Sequence, residues 1–127
     1  MEDNIQRMLS LKSWVVAGST HNPDKFAHKI YKKLKSMKYA VYSLNPSGLD
    51  ADGDKSYKIL SSLPIKPEVI SMVINPVKGR EIIGDAAILG IKYIWFQPGA
   101  DTLELVNMAE TAGINVVYNR CVLVELG

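Results

Sequence analysis

The residues with the clearest chemical potential stand together near the N-terminus, in the run Gly18, Ser19, Thr20, His21, Asn22, Pro23, Asp24 and Lys25. Gly18 ends a β-branched stretch, "SWVVAG", and the loop precedes apolar residues at Phe26, Ile30, Leu34 and Met37 whose spacing predicts a helix. Glycine lets backbone approach a ligand closely, Ser19 and Thr20 supply hydroxyl donors, and a helix start presents free N–H groups. That combination suits a phosphate. Lys25, in or near the first helical turn, opposes the helix dipole by about 0.3–1 kcal/mol, a penalty that a bound phosphate reverses. The competing reading places Lys25 on a solvated face with Lys29, Lys32 and Lys33, and has Ser19 and Thr20 bonding their own backbone in a turn.

Other chemistries fit less well. A dinucleotide loop reads G-x-G-x-x-G with an acid about 20 residues further on, whereas this loop has one glycine and the next strand ends in Asn45-Pro46. No G-x-x-x-x-G-K-[ST] sequence is present. "DADGD" (50–54) carries its glycine at the fourth position, where a calcium loop has it at the sixth, and Ser61 stands where the bidentate Glu belongs. His21, His28 and Cys121 do not make a zinc set; His28 is expected on a helix surface and His21 facing solvent. There is no Ser–His–Asp set and no pair of carboxylates in adjacent loops, so binding without turnover is the expectation.

The loops are positioned by an alternation of strands and helices. "EDNIQRMLSL" puts Ile5, Met8 and Leu9 on one helical face, with Asp3 and Gln6 spaced as a capping box. Strands are predicted at 13–18, 39–44, 69–74, 92–96 and 114–118, with a short helical piece through Tyr57 to Leu60. Asn75 caps and Pro76 opens a helix that runs to about Leu89 and stops at Gly90; Asp101 and Glu104 form a second capping-box pair ahead of a helix stopped by Gly113. Most strands are apolar enough to be buried on both faces, which predicts an α/β, Rossmann-like three-layer domain with a five-stranded parallel sheet. Ligands bind such sheets beyond the carboxyl ends of the strands, where the strand order reverses. The loops selected by that rule are 18–25, 45–53, 74–76, 97–102 and 118–121.

Bulk properties agree with one such domain. The chain has 127 residues, 47% of them hydrophobic and 22% charged, enough to bury one core. It divides into an N-terminal helix (1–12) packed on a domain (13–127). Lys and Arg number 15 against 13 Asp and Glu, too small an excess to imply nucleic acid. The apolar runs are strand-sized, too short for a membrane span, and a single cysteine forms no internal disulfide, which fits a reducing, cytoplasmic setting.

"GSTHNPDKFAHKIYKKLKSMKYAVYSLNP", "INP" after the third strand, "WFQPGA" after the fourth and "NRCVLVE" near the end resemble the small CoA-binding domain family, whose fold also occurs in the N-terminal domain of succinyl-CoA synthetase alpha subunits. The resemblance runs over about residues 13–126. It implies coenzyme A or an acyl-CoA as the ligand, with Gly18, Ser19, Thr20, Pro23 and Lys25 at the pyrophosphate and Asn45-Pro46 beside the adenosine. Asn75 and Pro76 match the family's third-strand loop, and Gln97 and Gly99 its fourth. Ala27 and His28 depart from the small residue and variable residue of many relatives, and the stretch 47–56 is rich in Asp for the neighbourhood of a 3′-phosphate. CoA also suits the absence of a strand-two acid, which would repel its 3′-phosphate. Cys121, beyond the last strand on the ligand side, is either a buried inert thiol or a redox thiol able to form a mixed disulfide with CoA. The remaining alternatives are an enzyme subunit using NADP or another nucleotide, and a regulatory module with an empty pocket whose protein partner is unknown.

Overall fold

The computed structural model describes residues Met1 to Gly127. The strands are β1 (Ser13–Gly18), β2 (Ala40–Leu44), β3 (Ser56–Tyr57), β4 (Val69–Val73), β5 (Tyr93–Phe96) and β6 (Asn115–Val117). The helices are α1 (Glu2–Ser10), α2 (Phe26–Ser36), α3 (Pro76–Leu89), α4 (Leu103–Thr111) and α5 (Val122–Leu126). All five strand pairings are parallel, in the order β3-β2-β1-β4-β5-β6, the doubly wound order of Rossmann-like folds.

Strand periodicity divides the core into two layers. Val15, Ala17, Ile70, Met72, Ile94 and Phe96 pack with Ile82, Ile83, Ala86, Leu105 and Ala109 of α3 and α4. Their neighbours in sequence, Trp14, Val16, Val69 and Trp95, pack on the other face with Ile5 and Met8 of α1, Ile30, Tyr31 and Leu34 of α2, and Val122 of α5. Strands buried on both faces read as unbroken apolar runs. Both tryptophans also find acceptors: Trp14 Nε1 donates to Leu11 O at 3.0 Å, and Trp95 Nε1 to Arg120 O at 2.8 Å.

Several sequence expectations are corrected. The sheet has six strands, because Ser56–Tyr57 pairs with Ser43 and Leu44 where a helical piece was expected; a single 3-10 turn follows at Leu60–Ser62. The pairing is held by a Ser43–Ser56 hydroxyl bond of 2.7 Å and by Asn45 N–H donating to Tyr57 O at 2.8 Å, contacts that local propensity does not encode. Neither capping box forms. Met1 is the N-cap of α1 and gives no side-chain bond; α4 is capped by Thr102, whose Oγ1 accepts from Leu105 N–H at 3.3 Å. Asp101 instead accepts from the N–H groups of Gly99 and Asn119. Asn75, Pro76 and Gly90 perform as their types predict, with Asn75 Oδ1 accepting from Lys78 N–H at 3.1 Å and Gly90 left-handed at φ 77°. Phe26 and Met37, at the ends of the predicted apolar face of α2, are 61% and 41% exposed.

Two carboxylates tie the fold together at its edges. Glu68 Oε1 accepts from Lys12 N–H, Ser13 N–H and the Ser13 hydroxyl, locking the start of β1 to the start of β4. The Ser13 N–H above all holds this carboxyl below the usual range. Asp54 is held low by Lys35 and by the hydroxyl of Tyr31, which donates to it at 2.7 Å. A depressed carboxylate contributes stability above its unfolded pKa, and the contribution is lost as pH falls through the folded value. Urea midpoints are therefore expected to fall between about pH 5 and pH 3, and a double substitution Glu68→Gln and Asp54→Asn to flatten that slope. An unchanged slope would place the acid sensitivity elsewhere.

Candidate functional site

Beyond the carboxyl ends of the strands, a cleft of about 290 Å³ is lined by Ser19, Val73, Ile74, Asn75, Pro98, Gly99 and Ala100. These residues follow β1, β4 and β5, and β1 and β4 are the neighbours from which the chain departs in opposite directions across the sheet. The cleft therefore lies at the topological switch point.

Gly18 makes the floor possible. A Cβ there would stand 2.5 Å from Val73 O and 3.0 Å from Ala27 Cβ. With no side chain at Gly18, β1 and β4 stay paired to their last residues and α2 starts directly above them. Lys25 is the N-cap of α2, in extended conformation at φ −96° and ψ 148°, and its side chain is exposed. No side chain caps this helix and its first turn holds no acid, so its leading N–H groups remain open to an anion.

The other residues named from the sequence fall into two groups. Ser19, Asn75 and Gly99 line the cleft, Pro76 opens the helix behind Asn75, and Pro23 and Pro46 sit on the exposed outer rim. Pro23 belongs to a separate groove with His28, Lys29, Lys32 and Lys33. Thr20, Asn45 and Gln97 are buried beneath the loops at 0%, 2% and 2% exposure. Thr20 Oγ1 and Ser43 Oγ share a 2.6 Å bond that continues to Ser56. Asn45 uses every hydrogen-bonding position of its amide: Nδ2 reaches Thr20 Oγ1 at 3.4 Å and His21 Nδ1 at 2.8 Å, and Oδ1 accepts from the N–H and hydroxyl of Ser47. Because Asn45 donates to Nδ1, neutral His21 carries its proton on Nε2.

His28 is corrected from a surface residue to a buried one. Its Nδ1 donates to Thr20 O at 2.7 Å, so it buttresses the first loop from inside α2. Gln97 spans two elements, with Nε2 donating to Ser71 Oγ at 3.1 Å and Oε1 accepting from Val122 N–H at 3.0 Å. Every buried side-chain polar atom has a partner. Polar residues at strand ends thus hold the loops in place from beneath, while backbone and small side chains form the surface of the cleft.

The Asp-rich stretch has a structural explanation. Lys35 pairs with Asp54 at 2.8 Å and Asp52 at 3.3 Å, and Ala51 bridges Asp54. These acids face α2, and none lines the cleft.

Half-buried Cys121 lines a smaller adjoining cavity of about 100 Å³ with Phe26, Ile30, Val73, Gln97 and Pro98. Nothing in the sequence marks Val73, Pro98 or Phe26 as cavity residues. Pro98 lies within the quoted "WFQPGA", so its loop was identified and its contact was not; Val73 and Phe26 carry only apolar signals, which ordinarily mean core. No helix is long and apolar enough to cross a membrane.

Comparison with known proteins agrees with the fold. Residues 12–127 match the family model described as a CoA binding domain. A protein from Pyrococcus horikoshii OT3 is 30% identical with a TM-score of 0.89, over 99% of this chain and 92% of that one. A conserved protein from Pyrococcus furiosus is 33% identical with a TM-score of 0.82, over 90% and 98%. A dinucleotide-forming acetyl-coenzyme A synthetase from Ca. Korarchaeum cryptofilum, solved with phosphate and ADP, is 27% identical with a TM-score of 0.72, matching 89% of this chain but 27% of that longer one. With the doubly wound sheet, the switch-point cleft and a family match over nearly its whole length, the chain belongs to the CoA-binding domain family.

Proposed function

We propose that this protein binds coenzyme A or an acyl-CoA without catalysing a reaction of its own, with the diphosphate held by the Gly18–Lys25 loop. The observation that carries the proposal is the uncapped start of α2, which has Lys25 at its N-cap and no acid in its first turn and stands beside the cleft at Ser19. A diphosphate satisfies the open N–H groups, and Lys25, which opposes the helix dipole in the free protein, then faces a negative charge. The Asn45-Pro46 segment lies beside the adenosine, with Pro46 at the surface and Asn45 holding it from beneath, and its lack of charge tolerates a 3′-phosphate; Asn75 and Gly99 border the pantetheine path. Thr20 and Gln97 act from below, positioning the loops.

The test compares thermal shifts with CoA, dephospho-CoA, NAD and NADP on protein first shown by mass spectrometry to be ligand-free. CoA at 100 times its dissociation constant stabilises the native state by about 2.7 kcal/mol. Lys25→Glu separates the binding role from a structural one because its two effects have opposite signs. The free variant is expected to melt slightly higher, since an acid at the helix start is favourable by about 0.3–1 kcal/mol. Its CoA affinity is expected to fall about 10- to 100-fold, the scale of one hydrogen bond to a charged group. A response to NADP and none to CoA would support the NADP-using enzyme-subunit alternative, and no response to any of the four would favour an interaction module.

A further inference from the structure

The small cavity beside the cleft has a composition unlike the cleft itself. Its walls are Phe26 and Ile30 from α2, Val73 from the end of β4, Gln97 and Pro98 after β5, and Cys121 before α5. Val73 and Pro98 also line the cleft, so the two spaces adjoin. No Lys, Arg, His, Asp or Glu contributes to it. The amide of Gln97 is already committed, its nitrogen to Ser71 and its oxygen to Val122 N–H. The one lining side chain with an uncommitted heteroatom is therefore the thiol of Cys121, which behaves as a small, weakly polar surface.

We infer that this cavity receives the sulfur end of the bound coenzyme and selects a short, uncharged acyl thioester, of about four acyl heavy atoms at most. The inference rests on the CoA reading above and adds to it the class of acyl group. Size follows from volume. An apolar protein cavity of about 150 Å³ holds the six carbons of benzene, so about 100 Å³ accommodates an acetyl or propionyl group at the same packing. Charge follows from the lining. A carboxylate on the acyl chain, as in a succinyl or malonyl group, would lie among Phe26, Ile30, Val73 and Pro98 with no cationic side chain in the lining to pair it, and an unpaired buried charge is strongly disfavoured. Phe26 contributes from the rim. It is 61% exposed despite its place on the apolar repeat of α2, and a group entering the cavity covers part of its ring.

Calorimetric titration of the wild-type protein with an acyl series tests this without depending on the folding of any variant. The probes are the nucleotide half alone (3′-phosphoadenosine 5′-diphosphate), CoA, acetyl-, propionyl-, octanoyl- and succinyl-CoA. Affinity is expected to rise from CoA to propionyl-CoA by up to about fourfold per added carbon, equivalent to about 0.8 kcal/mol for each buried methylene. It should then fall for octanoyl-CoA, and succinyl-CoA should bind at least tenfold more weakly than propionyl-CoA. A flat series, a continuous rise through octanoyl-CoA, or equal binding of succinyl- and propionyl-CoA would overturn the inference. The nucleotide half separates the two levels: if it and CoA both fail to bind, the CoA reading falls; if they bind and the acyl series is flat, only the cavity assignment falls. As a second arm, Cys121→Phe fills the cavity and is expected to abolish the gain from the acyl group while leaving the nucleotide half bound as in wild type. Retention of the acyl gain by that variant, with its fold confirmed by circular dichroism, would likewise overturn the assignment.

Discussion

Replacing Gly18 by alanine is expected to destabilise the protein by about 2 kcal/mol or more and to lower its Tm by about 6–10 °C. The reason is a collision of backbone. The new Cβ would lie 2.5 Å from the carbonyl oxygen of Val73, and that oxygen belongs to a strand paired with β1, so no rotamer change relieves the contact. At φ 158° the backbone is also one that L side chains rarely adopt, so conformational strain adds to the collision. Relief requires β1 and β4 to separate at their carboxyl ends or α2 to rise, and either motion spreads the cleft. CoA affinity is expected to fall at least tenfold in the variant that remains folded, a scale comparable to the loss of one charge-assisted contact. Gly84→Ala is the control. A Cβ at Gly84 in α3 meets nothing within 4 Å, and an alanine in a helix interior gains about 0.5–1 kcal/mol over glycine. Parallel urea melts of the two variants should therefore move in opposite directions; a Gly18→Ala protein as stable as wild type would show that the strand ends part freely.

The second large effect is expected at Gln97. A leucine of similar size would leave Val122 N–H and the Ser71 hydroxyl, both served by the Gln97 amide, without partners in a buried setting. Each unsatisfied buried group costs about 1–3 kcal/mol, so a total loss of about 2–6 kcal/mol follows for the two if the Ser71 hydroxyl finds no new partner. The loss should be uneven across the molecule. Val122 begins the short helix α5, and amide exchange at Val122 is expected to accelerate more than exchange at Ile70 in the centre of the sheet. Equal protection at Val122 in wild type and variant would show that α5 is held by the apolar contacts of Val122 alone. Because Cys121 immediately precedes this helix and lines the smaller cavity, the same substitution should also remove any preference among acyl groups.

The relation between sequence and structure differs from residue to residue. Asn75, Pro76 and Gly90 act through bonds within four residues of themselves, and they start and stop α3 as their types imply. Gly18 and the loop behind it were recognisable because a β-branched run ending in glycine before a helical repeat is a local pattern. The family resemblance extended that pattern to "INP" and "WFQPGA", and the structure brings residues of both segments to the same cleft as Ser19. Thr102 and Asp101 show the limit of such reasoning even at short range. Either residue is a suitable cap, and Asp101 is diverted by the N–H of Asn119, 18 positions away.

The sequence by itself determined the alternating α/β order, the glycine-led loop at the first strand–helix junction and the family, since all three rest on short-range periodicity and on local motifs. Only the tertiary structure decided which polar residues line the cleft and which lie beneath it. Thr20, His28, Asn45 and Gln97 have the composition of binding or surface residues, yet each is buried by partners on another strand, loop or helix: Ser43, the Thr20 carbonyl, His21 and Val122. The sixth strand and the exposure of Phe26 were decided in the same way. Burial is a property of what stands opposite a residue, and in a parallel sheet the residue opposite comes from a segment tens of positions away.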